Sequence, residues 1–437
     1  MRLCENKSAR PLGLLLVGAA VGLCALSGVA RADAESLSRE YHYKILSDYT
    51  AHSTEDDLPD VADRNQGRGI RQGQFWVLPE VASGLLIDTN VRATPGGTVD
   101  DEAFFITPNI KVKSDFGRHE VAAEAAVKHI EYFSLSPESR TEAFGKLQTR
   151  IDITRDLNAY LTAKGGVFQE ERGAIVQPTA TRSPVEYNRV DLAGKLVKTF
   201  NRLKLSGGVH YSLFDYGDGR TFAGANFDQD FRDFDRIEAG GRMSYNVSPG
   251  YSVFGDLRFT ARDYDGPATT NRSSQGFRAL GGVEFELGRL LRGEAGIGYN
   301  YVDYNSALFG EHSALTFLVA LTWNPTPLMT VNLDAKQRFE DTTIPGLSGS
   351  DQSYVHLSLD YEVLRRLIVS PHLRFVYDSF NSSSVKGYTL GAGLRAEYEI
   401  NRYLGVGVNY LYTDRDFTGF ALDFERHQAG LYLKARF

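Results

Sequence analysis

The chain has 437 residues and a net charge of -7, an acidic balance that excludes a nucleic-acid partner needing a basic face. The length admits two or three soluble domains or one large barrel. Aromatic residues at 12% and 43 glycines, against three methionines, favour strands and turns over helices.

The first stretch has the grammar of an export signal. Arg2, Lys7 and Arg10 give a positive start, and residues 14–29 are apolar. Ala30-Arg31-Ala32 and Ala32-Asp33-Ala34 are both small-x-small sites, so residues 1–34 read as a signal peptide cleaved after Ala32 or Ala34. Both cysteines, Cys4 and Cys24, fall inside it. The bulky Leu23 beside Cys24 argues against a lipoprotein site. A mature chain without cysteine has no disulfide, no thiolate metal site and no cysteine nucleophile. After the signal no apolar run is long enough for a spanning helix, which leaves an exported soluble protein or a β-barrel.

Residues 35–74 are polar and carry neither a helical nor a strand period. Glu55, Asp56, Asp57 and Asp60 form an acidic cluster ahead of Gly67-Arg68-Gly69. The composition predicts a partly disordered periplasmic extension, either a leader into the first strand or a docking segment.

From Phe75 to Phe437 one rhythm takes over. Short turns fall at 116–118, 156–158, 200–202, 248–250, 288–289, 324–327, 365–366 and 401–402. Longer polar connections centre on 95–97, 137–138, 178–184, 217–231, 266–274, 306–311, 344–352, 381–386 and 418–424. Eight short turns alternating with nine long loops predict eighteen strands. A soluble sandwich has no reason to keep every second connection short. Outer-membrane barrels do, with short periplasmic turns, longer outer loops and an even strand number.

The strands alternate as that reading requires. Leu315, Phe317, Val319, Leu321 and Trp323 share one face of one segment; Leu390, Ala392, Leu394, Ala396 and Tyr398 share one face of another. The last segment is the clearest. Ala429, Leu431, Leu433, Ala435 and Phe437 alternate with Gly430, Tyr432, Lys434 and Arg436. A barrel of roughly eighteen strands is too wide for side chains to fill, so the polar set must line a lumen and the apolar set must face lipid. Aromatics near the loop ends (Tyr132, Phe133, Tyr211, Phe214, Tyr299, Tyr301, Tyr304, Tyr377, Phe380, Tyr410, Tyr412) and near the turn ends (Tyr251, Trp323, Tyr398, Phe437) fit two interfacial girdles.

The fold class expected is therefore all-β: a transmembrane antiparallel up-and-down barrel of about 18 strands. Its polar phase is charged with both signs. Lumen-facing candidates are Arg150, Arg189, Arg242, Arg258, Arg278, Glu284, Arg338, Arg374, Arg395, Glu397, Tyr432, Lys434 and Arg436. Facing lipid near the midplane, each Lys or Arg would cost roughly 2–4 kcal/mol. Inside, these residues either tune passage of charged solutes or pair with one another across strands. Phe168, Phe254 and Tyr432 are inward rings on which sugars could stack. Inward glycines at 296, 298, 391, 393, 405 and 407 would widen the lumen or relieve curvature.

No catalytic, cofactor or metal site emerges. His210, His356 and His372 share the inward phase but lie on distant strands. Asp228, Asp230, Asp233 and Asp235 form an acidic loop run without the spacing or turn glycine of an EF-hand. No Ser/His/acid cluster can be assembled at the rim.

Around the first hairpins the residues become specific. Arg71-Gln72-Gly73-Gln74-Phe75, Pro79 and Asp88-Thr89-Asn90-Val91 resemble the opening of the putative beta-barrel porin 2 family. Ser114-Asp115-Phe116-Gly117-Arg118-His119 and Asp152-Ile153-Thr154-Arg155 are similar to its next two hairpins. The resemblance implies an outer-membrane barrel of a Gram-negative bacterium, built by the barrel-assembly machinery and surrounded by outer-membrane lipid. Many members are associated with exopolysaccharide or capsule export. There the barrel is the exit for the polysaccharide, beside a periplasmic export lipoprotein. The family supplies no catalytic residue to transfer. The expected function is a non-enzymatic conduit for secreted polysaccharide. The alternatives are a general or solute-specific diffusion porin, an outer-membrane enzyme, and a structural barrel with a plugged lumen. Phe437 is the expected assembly signal.

Overall fold

The computed structural model describes residues 69–174, 181–266, 271–288, 290–342, 344, 347–381, 383–419 and 422–437. The expected export signal with its cleavage sites, and residues 35–68 of the polar extension, lie outside the described residues.

Eighteen strands make the wall. They begin with β1 (Phe75–Asp88), β2 (Asp101–Ser114), β3 (Glu120–Tyr132), β4 (Arg140–Thr154), β5 (Leu157–Gln169) and β6 (Glu186–Phe200). They continue with β7 (Leu203–Tyr216), β8 (Phe234–Ser248), β9 (Tyr251–Tyr264), β10 (Ser274–Leu287), β11 (Leu291–Tyr304) and β12 (Glu311–Thr326). The last six are β13 (Met329–Asp341), β14 (Gly349–Leu364), β15 (Leu367–Phe380), β16 (Lys386–Glu399), β17 (Leu404–Thr418) and β18 (Phe424–Arg436). Each pairs antiparallel with the next, and β18 returns to pair with β1. The strand count and the order of short turns and long loops expected from the sequence are those observed. No helix among the described residues is long and apolar enough to cross a membrane.

Closure follows from the medium. In lipid an unpaired backbone N–H or C=O costs several kcal/mol, so a sheet can span only when it has no edge. The two faces then divide by chemistry. On β18, Leu431 and Leu433 are 55% and 54% exposed, while Tyr432 and Lys434 between them are 5% and 6%. The exposed set is the lipid face and the shielded set is the lumen face. Ile297, Leu315, Leu192, Leu196, Val253 and Leu257 extend the apolar exterior around the wall.

The girdles need one correction. Tyr251, Trp323, Tyr398 and Phe437 are exposed at the turn end, and Phe133, Tyr299, Tyr377 and Tyr410 at the loop end. Tyr132, Phe214, Tyr304 and Phe380, expected beside the latter, occupy inward positions, and three of these four are fully buried. Position along a strand is read from the nearest turn, but facing depends on parity, and these four have the parity of the lumen.

The seam between first and last strands is bolted at both ends. Its register runs from Glu80 opposite Arg436 to Asp88 opposite Gln428. At the loop end the buried carboxylate of Asp88 accepts from Arg426 Nε at 2.9 Å, Gln428 Nε2 at 2.9 Å and Tyr132 Oη at 3.3 Å. Arg426 anchors the charge, and leaving either partner alone would cost about 3–5 kcal/mol. At the turn end a short strand, Ile70–Gln72, folds back on β1. The Phe437 amide donates to the Pro79 carbonyl at 3.2 Å, and its own carbonyl accepts from the Gly69 amide at 2.9 Å.

The fourth loop, residues 217–233, holds a small two-stranded hairpin and a 3-10 turn, Asp230–Arg232. Asp233 leaves that turn with Oδ1 accepting the Tyr216 amide at 2.7 Å. Burial pushes its carboxyl up to about 6, and Asp215, Asp230 and Asp265 push the same way.

Two outcomes are expected. Replacing Phe437 with Asp lowers the amount of protein in the membrane without altering the conductance of copies that insert; normal levels would count against an assembly role. Asp233 has a folded pKa above its unfolded one, so the closed fourth loop binds its proton more tightly. Closure is therefore strongest below about pH 4 and weakens as pH rises through about 6. Proteolysis of this loop accelerates across that window, and D233N flattens the dependence.

Candidate functional site

The lumen is the candidate site, and its charges are arranged in local clusters. At the turn end Glu397 is a hub. Lys434 Nζ lies 2.6 Å from it, Tyr432 donates its hydroxyl at 3.2 Å, and Arg436 stands at 3.8 Å while also pairing with Glu399. Arg395, on the same strand as Glu397, lies 3.8 Å from Asp360 and donates to Ser370. Arg150 bridges Glu120 at 3.2 Å and Asp152 at 3.0 Å.

Further in, Arg242 pairs with Glu284 at 2.5 Å and with Glu294. Arg258 pairs with Asp256 at 2.9 Å and Glu238 at 3.3 Å. Arg189 lies against Asp191 at 2.7 Å. Arg338 meets Glu340 at 2.7 Å and donates to Gln352 at 2.8 Å. Arg278 stands opposite Arg258 and Asn300 in the sheet, and Arg374 opposite His356 and Gly391. The structure thus gathers Glu397, Tyr432, Lys434 and Arg436 in one place and joins Arg242 to Glu284. Arg258 and Arg278 stand opposite each other, and the other expected residues are spread around the wall.

The inward rings lie flat. Phe254 covers Gly282 and Gly296, whose added Cβ atoms would come within 2.7 and 2.9 Å of it. The Arg242 guanidinium sits over the same ring, 3.7 Å from its centroid. Tyr432 lies across Gly407, where a Cβ would meet its Cζ at 2.2 Å. Inward glycine is thus a seat that lets a neighbouring ring fold down onto the sheet. Sequence reading put Phe254, Tyr432, Gly296 and Gly407 on the inward face but did not set ring against glycine, because the two lie on different strands.

Phe168 belongs to a cross-strand ladder with Tyr187, Phe214, Phe234 and Tyr264, with successive centroids 4.6–6.3 Å apart. Their planes are within 10–28° of parallel, so the rings spend their faces on one another. Each such contact contributes about 0.5–1.5 kcal/mol. The ladder stiffens the wall between β5 and β9.

Loops fold in over the outer half, a feature the turn rhythm did not disclose. The third loop, described at residues 170–174 and 181–185, ties at Gly173 to strands five or six places around the closed wall from β5. Gly173, at φ +84°, accepts from Arg415 of β17, and a Cβ there would strike Phe424 of β18. Arg172 donates to Glu138 at 2.8 and 3.0 Å, and Arg92 reaches the same buried carboxylate at 3.2 Å. Glu170 binds Arg232 of the fourth loop. A second chord joins Arg262 of β9 to Asp341 of β13 at 2.9 Å, with Tyr304 donating to the same carboxylate.

A Ser/His/acid set does exist, although the sequence offered no way to assemble it. Ser212 Oγ lies 3.3 Å from His210 Nε2 and donates to Asp191 Oδ1 at 2.9 Å; that same oxygen is 3.2 Å from Nε2. A relay needs the carboxylate on the ring nitrogen opposite the hydroxyl. Here hydroxyl and carboxylate share one nitrogen. The acidic loop run also divides. Asp228 and Asp230 gather with Asp218 on the exposed rim, whereas Asp235 accepts from Tyr211 Oη at 2.9 Å. Arg236, inward on β8 two residues before Glu238, was missed; its shared parity with Arg242 was the available signal.

The model of the family described as putative beta-barrel porin 2 matches residues 65–437. No curated protein matches. Among solved structures, Acinetobacter baumannii OccAB4 aligns at 11% identity and a TM-score of 0.43, covering 85% of this chain and 99% of that one. Pseudomonas aeruginosa OccK2 (OpdF), solved with glucuronate, aligns at 12% and 0.42, covering 84% and 99%. The ferric enterobactin receptor PfeA of P. aeruginosa aligns at 8% and 0.44, covering 82% and 80%. The match runs over the whole barrel: this chain belongs to the putative beta-barrel porin 2 family and is an outer-membrane, porin-like β-barrel.

Proposed function

We propose that the barrel is a passive outer-membrane conduit through which a secreted polysaccharide leaves a Gram-negative cell, with no catalytic step of its own. The observation that supports this reading is the inner wall. From Lys434 and Arg436 at the turn end to Arg426 and Asp88 at the loop end it offers charged and hydrogen-bonding groups. A hydrated sugar chain exchanges water for such groups at little cost. Delivery from the periplasm falls to an export lipoprotein, and insertion to the barrel-assembly machinery.

The inward third loop favours a second reading, a diffusion porin for small solutes. With Gly173 held against Arg415 and Phe424 the passage is narrowed, which suits a small solute as well as a single extended chain.

Two experiments separate these. Cells lacking the chain should lose surface polysaccharide while keeping the polymer or its precursors inside; normal surface polysaccharide sinks the export reading. Replacing Glu138 with Ala strands Arg92 and Arg172, a loss of about 3–5 kcal/mol for a buried pair. The third loop should then loosen and single-channel conductance should rise. Unchanged conductance would mean that this loop does not set the narrowest point.

A further inference from the structure

Opposite charges face each other at several places in this lumen. Lys111 and Lys146 flank Glu124, Arg150 stands opposite Glu120, Lys164 opposite Asp191, and Arg242 opposite Asp256. Like charges face each other singly at Lys146 and Lys164 and at Glu284 and Glu294, but the outer half of β8, β9 and β10 sets two such arginine pairs together. Arg236 has Ser212 on one side and Arg262 on the other; Arg278 has Arg258 and Asn300. Neither has an acid directly across from it. Like charges set opposite each other in a sheet destabilise it, so such a patch is retained against folding.

The surrounding acids are already engaged. Asp256 and Glu238 bind Arg258, Asp341 binds Arg262, and Glu340 binds Arg338. Around the patch, buried donors stand without a hydrogen-bond partner among the described residues: Arg236 Nε, Asn300 Nδ2, and Ser274 Oγ, which lies opposite Arg262. Donors outnumber acceptors here, in a chain that is acidic overall.

We propose that Arg236, Arg262, Arg258 and Arg278, with Asn300 and Ser274, form a subsite for the anionic groups of an acidic polysaccharide in transit. The guanidinium fork matches a carboxylate or sulfate ester with two parallel hydrogen bonds. This deepens the conduit reading and rests on it. The subsite lies near the exit and holds each acidic residue briefly while the chain advances.

The test uses the full-length protein in planar bilayers, with folding checked by heat-modifiable electrophoretic mobility. A galacturonate hexamer, maltohexaose and monomeric galacturonate are compared as blockers of the ionic current. The acidic hexamer should block at concentrations at least about tenfold below either of the others. The R236Q/R278Q double variant should raise that concentration about tenfold, the loss expected for one charge-assisted hydrogen bond. R236K, which keeps the charge but not the fork, should weaken the block while retaining anion preference, and it serves if the double variant fails to fold. Equal block by maltohexaose, or an unaltered block in the folded variants, overturns the subsite. Equal block by the monomer overturns the polymer as its occupant. Failure of the export reading is seen separately, as undiminished surface polysaccharide in cells lacking the chain.

Discussion

Everything in this molecule depends on the backbone pairing of β1 with β18. A sheet in hydrocarbon cannot leave an edge, so the first and last strands must meet although more than three hundred residues separate them. Once they meet, side-chain facing is decided for the whole wall, since the period of two admits one assignment per strand. Lipid then sorts the two faces, and the charged residues gather inside because nowhere else accepts them. The buried Asp88–Arg426 pair and the Glu397 hub, which grips Lys434 from β16, stand at opposite ends of β18.

How much of this could be read beforehand differs by scale. The strand number, the alternation of turns with loops and the inward phase of Arg242 or Lys434 all follow from period and turn chemistry. These are local signals repeated many times over. What stayed hidden was non-local. Tyr432 folding onto Gly407, Phe254 onto Gly282 and Gly296, and Ser212 reaching Asp191 each join different strands, and parity alone places none of them against its partner. The inward course of the third loop was hidden for the same reason. Its anchors, Glu138, Arg232 and Arg415, come from three other parts of the chain.

The inner wall is a compromise between packing and passage. Glycine seats and stacked rings flatten it, while ion pairs absorb most of its charge internally. Charges satisfied by each other hold structure; Arg236 and Arg262, like Arg258 and Arg278, face their own kind across the sheet. By that distinction most of the arginines expected to meet solute are occupied with neighbouring carboxylates, and Arg236, which the strand pattern left unnoticed, becomes the more informative residue.

The long separation of Asp88 from Arg426 also carries a statement about time. Contacts within each hairpin are local and can form early, but the seam joins segments at opposite ends of the chain, and such pairings pay the largest loop-closure entropy. Until β18 arrives, β1 presents an open row of donors and acceptors to any strand nearby. The polypeptide is thus a one-sided zipper whose final tooth sits in its last residues. The short fold-back at Ile70–Gln72 pairs with Phe75–Val77, outside the stretch of β1 that β18 closes.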